Sequence, residues 1–312
     1  MISKVVVLSG GLSHERDVSL RSGRRVAEAI RAKGIEVDEI DPDSRLTQVL
    51  SDLPKNSVIF PTLHGAVGED GSIRDVLEML HLPYVGSSAE SCRRAFDKPI
   101  AKSIVAGAGI RTTPSRVLPH STFRELGASN LLPIIASDIE FPLMVKPTKG
   151  GSALGASVIH TPEALPEAMI GAFAYGDDVL IEPYIAGTEI AVSVYEENGK
   201  LIALPAVEIK PDTAFYSYDA RYTAGITEFF IPARIPDQVS VHAATVAKSV
   251  HQALGLRDIS RSDLIVDDQG HIWFLEVNVS PGMTETSLFP QAASEKDLGA
   301  IYVSLCEAAL NR

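Results

Sequence analysis

Residues 261–287 read Arg261-Ser-Asp-Leu-Ile-Val-Asp-Asp-Gln-Gly-His-Ile-Trp-Phe-Leu-Glu-Val-Asn-Val-Ser-Pro-Gly-Met-Thr-Glu-Thr-Ser287. Residues 264–266 and 272–277 are apolar, β-branched or aromatic runs, and Asp267-Asp268-Gln269-Gly270 between them supplies a turn with a glycine where positive φ is needed. The stretch therefore predicts a β-hairpin. Folding back at the turn sets Asp263 opposite Glu276, give or take one residue. Glu276 and Asn278, two apart on a strand, are expected on one face, the face that also carries Ile272 and Phe274. Asp263, Glu276 and Asn278 converging as oxygen ligands suit Mg²⁺, a hard cation that takes few protein ligands and leaves positions for phosphates. Arg261 shares the face of Asp263 and would meet the same phosphates or a charge formed during reaction. The competing reading is an ordinary hairpin with acids at its solvent end.

Working outward, 312 residues with 45% apolar and 22% charged side chains describe a globular chain of two or three domains. The net charge of −12 disfavours a nucleic-acid partner, since binding a phosphate backbone needs a surplus of Lys and Arg. Two cysteines, Cys92 and Cys306, form neither a CxxC pair nor a disulfide framework, as expected of a reducing cytoplasm. No leader pattern follows Met1 and no apolar run approaches the ~20 residues of a membrane span. Neither export nor membrane embedding is expected.

From the start of the chain, residues 5–8 predict a buried strand, Ser9 to Glu15 a glycine turn, and 18–33 a helix closed by Gly34. Strands at 36–40 and 58–60 continue the alternation of a parallel α/β sheet. A dinucleotide-dependent oxidoreductase would rest only on this first turn, with Asp41 as the acid. The full G-x-G-x-x-G spacing is missing, and nothing downstream supplies a hydride-transfer site. The loop holding His64 follows a strand's carboxyl end, where open α/β sheets bind ligands. A further short strand is expected at 82–86, followed by helices over 91–96 and 98–106.

Residues 141–147 predict a strand carrying an inward Lys146, and 148–155 a glycine-rich loop able to close over a triphosphate through its backbone N–H groups. A plain hairpin with a long turn is the alternative. A strand at 178–185 holds Glu182 inside an apolar run, placed to accept a hydrogen bond such as one from an adenine amino group. Strands at 189–195 and 201–207 are joined by an Asn198-Gly199 turn. Residues 210–230, rich in Phe and Tyr, read as a loop covering a site. A helix at 239–254 precedes the hairpin, and a closing helix runs over 297–310.

Taken together these stretches resemble the D-alanine-D-alanine ligases of the ATP-grasp superfamily over essentially the whole chain. The resemblance is carried by Glu15 with Val18-Ser19-Leu20, Leu63-His64-Gly65 with Gly68-Glu69-Asp70-Gly71, Asp97-Lys98, Val145-Lys146-Pro147, Phe215-Tyr216 with Tyr222, and Glu276-Val-Asn-Val-Ser-Pro-Gly-Met-Thr284. It implies an ATP-grasp fold of α/β and α+β class: an open parallel α/β domain over 1–97, then antiparallel-sheet domains over 98–186 and 187–312.

It further implies ATP between the second and third domains and two D-alanines where all three meet, joined through a D-alanyl phosphate for peptidoglycan precursor synthesis. Lys98 and Lys146 would contact phosphates, Glu182 the base and Glu189 the ribose, with Ile185 beside them. Asp263, Glu276 and Asn278 would hold two Mg²⁺ ions, with Mn²⁺ as a substitute. Glu15 would take the first ammonium with His64 nearby, in a hydrogen-bonded trio with Ser152 and Tyr222. Ser287 and Leu288 would hold the second carboxylate, while Arg261 and the Gly282 N–H would meet the oxyanion. A homodimer is compatible with the family pattern.

The chain departs from that pattern at Gly150-Gly151-Ser152-Ala153, where an acid and a hydroxyl are missing, and at Arg221, where lysine is usual. Both leave open another acceptor, such as D-serine or D-lactate. A nucleotide-binding regulator without turnover is the alternative of another class, and the joint presence of Arg261, Asp263, Glu276 and Asn278 argues against it. Glu276→Ala is expected to remove activity with little loss of fold.

Overall fold

The computed structural model describes residues 2–212, 215–217, 220–221 and 225–312. Its first sheet is parallel: β1 (Lys4–Leu8) lies between β2 (Val37–Ile40) and β3 (Ser57–Pro61), in the order β2-β1-β3. The helix Arg16–Arg31 crosses it with Ser19, Ser22, Gly23, Val26, Ala27 and Ile30 inward, a helical stripe whose small residues allow close approach. A Cβ on Gly23 would lie 2.4 Å from that of Ser9, so only glycine lets the helix seat there. The strand expected at 82–86 is reduced to one bridge, Ile59 with Tyr84.

The second sheet has four antiparallel strands, β4 (Arg116–Pro119), β5 (Leu143–Pro147), β6 (Ser157–Ile159) and β7 (Asp178–Pro183), ordered β4-β7-β5-β6. Helix Leu165–Phe173 covers one face and buries Leu165, Ala168, Met169 and Ala172 among Leu143, Val145 and Ile181. β4 and the helices His120–Leu126 and Ala128–Asp138 were not expected. Those helices bury only Ile135, so no strong apolar period marks them.

The third sheet comprises β8 (Thr188–Glu197), β9 (Lys200–Ala203), β10 (Val207–Pro211), β11 (Thr227–Phe230), β12 (Ile259–Val266) and β13 (Ile272–Asn278). Its order is β11-β10-β8-β12-β13 with β9 also on β8. The Asn198-Gly199 turn forms with both residues at positive φ, 51° and 72°. The single strand expected at 201–207 is instead two, because Pro205 has no N–H for the ladder. β11, which pairs antiparallel with β10, also corrects the expectation of an unbroken loop to residue 230.

One core joins the first and third sheets, and another packs helices on the third. Helix Leu298–Leu310 sits against the first sheet's helix, and Val5, Val26 and Phe60 share one cluster with Tyr195, Phe289 and Tyr302. Helix Lys98–Gly107, capped by Asp97 through the Ile100 N–H at 3.2 Å, buries Ala101 and Val105 against Val192 and Phe274 of the third sheet. Among the described residues no helix is long and apolar enough to cross a membrane.

Candidate active site

In the β12–β13 hairpin Asp263 stands opposite Glu276 and Arg261 opposite Asn278. The register then shifts, setting Leu264 against Phe274 and leaving Leu275 as an extra residue, a β-bulge. The bulge reverses the parity of β13. Ile272 and Phe274 point into the core, and beyond it Val277 and Val279 do so. Glu276 and Asn278 therefore do not share the face of Ile272 and Phe274, which corrects the alternation argument: they face a cleft.

That cleft, about 1120 Å³, runs between the second and third sheets and is lined by Lys98, Lys146, Glu182, Ile185, Glu189, Asp263 and Glu276. Lys98 opens its helix, and its ammonium donates to the Gly150 carbonyl at 2.7 Å and lies 3.4 Å from Glu276. Burial alone would raise the Glu276 carboxyl, but Lys98 and then Lys146, Arg221 and Arg261 hold it down at about 2. Glu276 is thus an anion kept ready.

Asp263 accepts from Arg261 through both oxygens, Nε at 2.7 Å and Nη2 at 2.9 Å, and the Asn278 side-chain oxygen accepts the Ser280 N–H at 2.8 Å. Among the described residues no three His, Cys, Asp or Glu side chains gather as a metal cluster. Two carboxylates, an amide oxygen and an open cleft between lysines nonetheless fit a hard cation that shares its coordination with phosphates. Such a cation would compete with Arg261 and Lys98 for them.

Glu182, 3% exposed, is more heavily engaged than the sequence implied. Lys146 lies 2.7 Å from Oε1, while Oε2 takes Thr113 at 2.5 Å and Lys102 in a shorter contact. Burial works to raise this carboxyl, but Lys146 and Lys102 hold it at about 2. Burial likewise works to lower Lys146, which Glu182 outweighs, so that ammonium is raised; for Lys102 burial prevails and the shift is downward. What remains for a base amino group is the second lone pair of Oε1. Burial pushes Glu189 up to about 7, with Arg221 opposing and Asp263 and Glu276 adding to the rise.

A second cleft of about 1220 Å³ is lined by Glu15, His64, Ser152, Arg261, Gly282, Ser287 and Leu288. It shares Lys98, Gly150, Gly151, Tyr216, Arg221 and Glu276 with the first, so the two spaces join at the glycine loop. Ser152 donates its hydroxyl to Glu15 across the opening, from a backbone at φ 53° that residues other than glycine rarely adopt. Burial lowers the His64 imidazole below its ordinary range against the pull of Glu15, leaving it neutral. At Gly282 a Cβ would lie 2.6 Å from the Ser287 hydroxyl, which in turn accepts the Thr284 N–H at 3.0 Å. A side chain at Gly282 would therefore crowd Ser287.

Tyr216 is buried, with Arg221 4.2 Å above its ring, so this part of the aromatic segment closes both clefts. Tyr222, expected in the trio with Glu15, lies outside the described residues, as does Tyr218. Sequence reasoning assigned no role to Lys102, Thr113 or Glu69. Lys102 is one helical turn beyond Lys98, which was its only signal. Burial, reinforced by Glu15, pushes the Glu69 carboxyl up to about 8, while it accepts the Gly65 N–H at 3.0 Å.

Asp41, the acid a dinucleotide reading would need, already accepts from Arg16 and from the Gly11 N–H at 2.9 Å, and the Gly10 N–H is taken by Ser19 at 2.8 Å.

Residues 104–310 match the family model described as D-ala D-ala ligase C-terminus, and 37–87 the one described as D-ala D-ala ligase N-terminus. The chain belongs to the D-alanine–D-alanine ligase family. It is 40% identical over 309 residues to the D-alanine–D-alanine ligase of Halalkalibacterium halodurans, covering 99% of this chain and 98% of that one. With the ligase of Fervidobacterium nodosum it shares 38% over 292 residues, 92% of each chain.

Among solved structures it resembles VanG D-Ala:D-Ser ligase from Enterococcus faecalis, with TM-score 0.86 and 26% identity over 99% of this chain and 100% of that one. The D-alanine–D-alanine ligase from Bacillus anthracis complexed with ATP aligns with TM-score 0.80 and 28% identity, over 100% and 98% of the chains. These neighbours carry the ATP-grasp fold, as the three sheets of this chain were expected to.

Proposed function

We propose that this protein is a cytoplasmic ADP-forming ligase that joins two D-alanines, supplying a peptidoglycan precursor. The three sheets are read as three domains, with ATP between the second and third. The observation that carries the proposal is the junction of the two clefts at Lys98, Gly150 and Glu276: the phosphate end of one opens onto the substrate end of the other.

In this reading Glu15 takes the ammonium of the first D-alanine, and the carboxylate oxygen of that D-alanine attacks the γ-phosphorus of ATP, releasing ADP and forming D-alanyl phosphate. Lys98 and Lys146 balance the charge of that transfer, and Glu182 and Glu189 meet base and ribose beside Ile185. Mg²⁺ held at Asp263, Glu276 and Asn278 would neutralise phosphate charge. Ser287 and the Leu288 N–H hold the second carboxylate. The second amine, having lost a proton toward the Ser152–Glu15 network, attacks the acyl carbon, and phosphate leaves. Arg261 and the Gly282 N–H meet the oxyanion formed on the way. Tyr216 and the glycine loop keep water from the acyl phosphate.

Purified protein with ATP, Mg²⁺ and D-alanine should release ADP and phosphate and form the dipeptide one for one. Folded protein that forms neither refutes the reading, and a preference for D-serine or D-lactate in a panel of acceptors would reassign the second substrate.

A further inference from the structure

We propose that Lys102, outside both clefts, is a positioning residue that gives Lys146 its net charge toward the nucleotide phosphates; this rests on the ligase reading. Three charged groups are locked together here: Glu182 lies between the ammoniums of Lys102 and Lys146. Thr113 completes the lock, accepting from Lys102 at 2.7 Å and donating to Glu182 Oε2 at 2.5 Å. Of the two lysines only Lys146 reaches the cleft, and Lys102 is 4% exposed on the far side of the carboxylate.

The charge count decides the role. Lys146 and Glu182 alone would form a closed pair with no net charge to offer a phosphate. With Lys102 occupying Oε2 the cluster carries one net positive charge, and Lys146 is its cation that a nucleotide can touch. Lys102 also lies one turn along the same helix face from Lys98, so a single helix arms both the phosphate lysine near Glu276 and the one near Glu182. A buried lysine that served only to fill space could be replaced by an apolar chain of like length without effect on one substrate in particular.

The test is a double-mutant cycle on the whole enzyme. Lys102→Met should raise KM for ATP at least tenfold, and weaken ATP binding by calorimetry equally, while KM for D-alanine stays within twofold. Lys102→Gln, which keeps a donor for Oε2 but not the charge, should do the same and serves if the Met variant does not fold. When Glu182→Gln is already present, adding Lys102→Met should change KM for ATP less than threefold, since the carboxylate that pairs directly with both lysines is gone.

The proposal is overturned if both Lys102 variants keep KM for ATP within twofold, or if KM for D-alanine rises in parallel. It is equally overturned if the effect is undiminished in the Glu182→Gln background. A wild-type enzyme that makes no dipeptide would overturn the ligase reading instead, and is seen before any variant is made.

Discussion

Glu69→Gln should flatten part of the pH dependence of stability. The Glu69 side chain is 9% exposed beside Glu15, and its carboxyl is pushed from an ordinary 4.5 to about 8, by burial first and the neighbouring carboxylate second. Between those two values the folded chain keeps a proton that the unfolded chain has lost. The stability associated with that proton is complete below pH 4.5 and declines as pH rises through about 8, where the folded carboxyl also ionises.

At 1.36 kcal/mol per unit the ceiling is roughly 5 kcal/mol, and relaxation and water entry at the cleft wall reduce it to about 2 kcal/mol. Glutamine keeps an acceptor for the Gly65 N–H but cannot ionise. The variant should therefore gain on the wild type by about 2 kcal/mol between pH 5 and pH 9, a relative rise of a few degrees in Tm. Thermal unfolding of both proteins across that range is the assay. Parallel curves, with the same difference at pH 5 and pH 9, would refute the neutral buried carboxyl. A D-alanine ammonium arriving at Glu15 also favours ionised Glu69, so binding near pH 7.5 should release protons, measurable calorimetrically in two buffers, and Glu69→Gln should abolish the release.

Glu276→Ala should lower kcat by on the order of 10³, checked by coupled ADP release; because cations hold this carboxylate at about 2, its removal should also lower Tm, against the little loss of fold expected from the sequence. Arg312→Ala should cost about 2–4 kcal/mol, since it leaves Asp258, 0% exposed, with the Gly86 N–H at 2.6 Å in place of two guanidinium bonds at 2.8 and 2.7 Å. Asp258→Asn should recover part of that loss in the Arg312→Ala background, and a strictly additive pair by denaturant unfolding would count against the ion pair. Chelation of divalent cations should stop turnover while leaving the far-ultraviolet spectrum unchanged; full activity in chelator would remove the metal from the scheme.

What was legible in the sequence follows from what local rules can see. The β12–β13 hairpin was readable because Asp267-Asp268-Gln269-Gly270 has turn chemistry and is flanked by apolar runs, and Gly270 does adopt φ 79°. The parallel first sheet was readable from alternating strand and helix periods. The face of Glu276 was not, because a bulge at Leu275 reverses the alternation and leaves no mark in composition. The break at Pro205 is marked in the sequence by a residue with no N–H for a ladder, set in a run that otherwise has strand character.

Charge pairing was the least legible property, and for one physical reason. Lys102 and Glu182 are 80 residues apart, and Arg312 and Asp258 are 54 apart. A lysine in an amphipathic helix reads as solvated until the structure shows an acid beneath it. Burial then alters its meaning: an exposed ion pair contributes little, whereas a buried one fixes which charges remain for a ligand. In the nucleotide cleft that remainder falls on Lys146 and Lys98. Motif residues thus locate the chemistry, while buried partners outside the motif set the charge with which it is done.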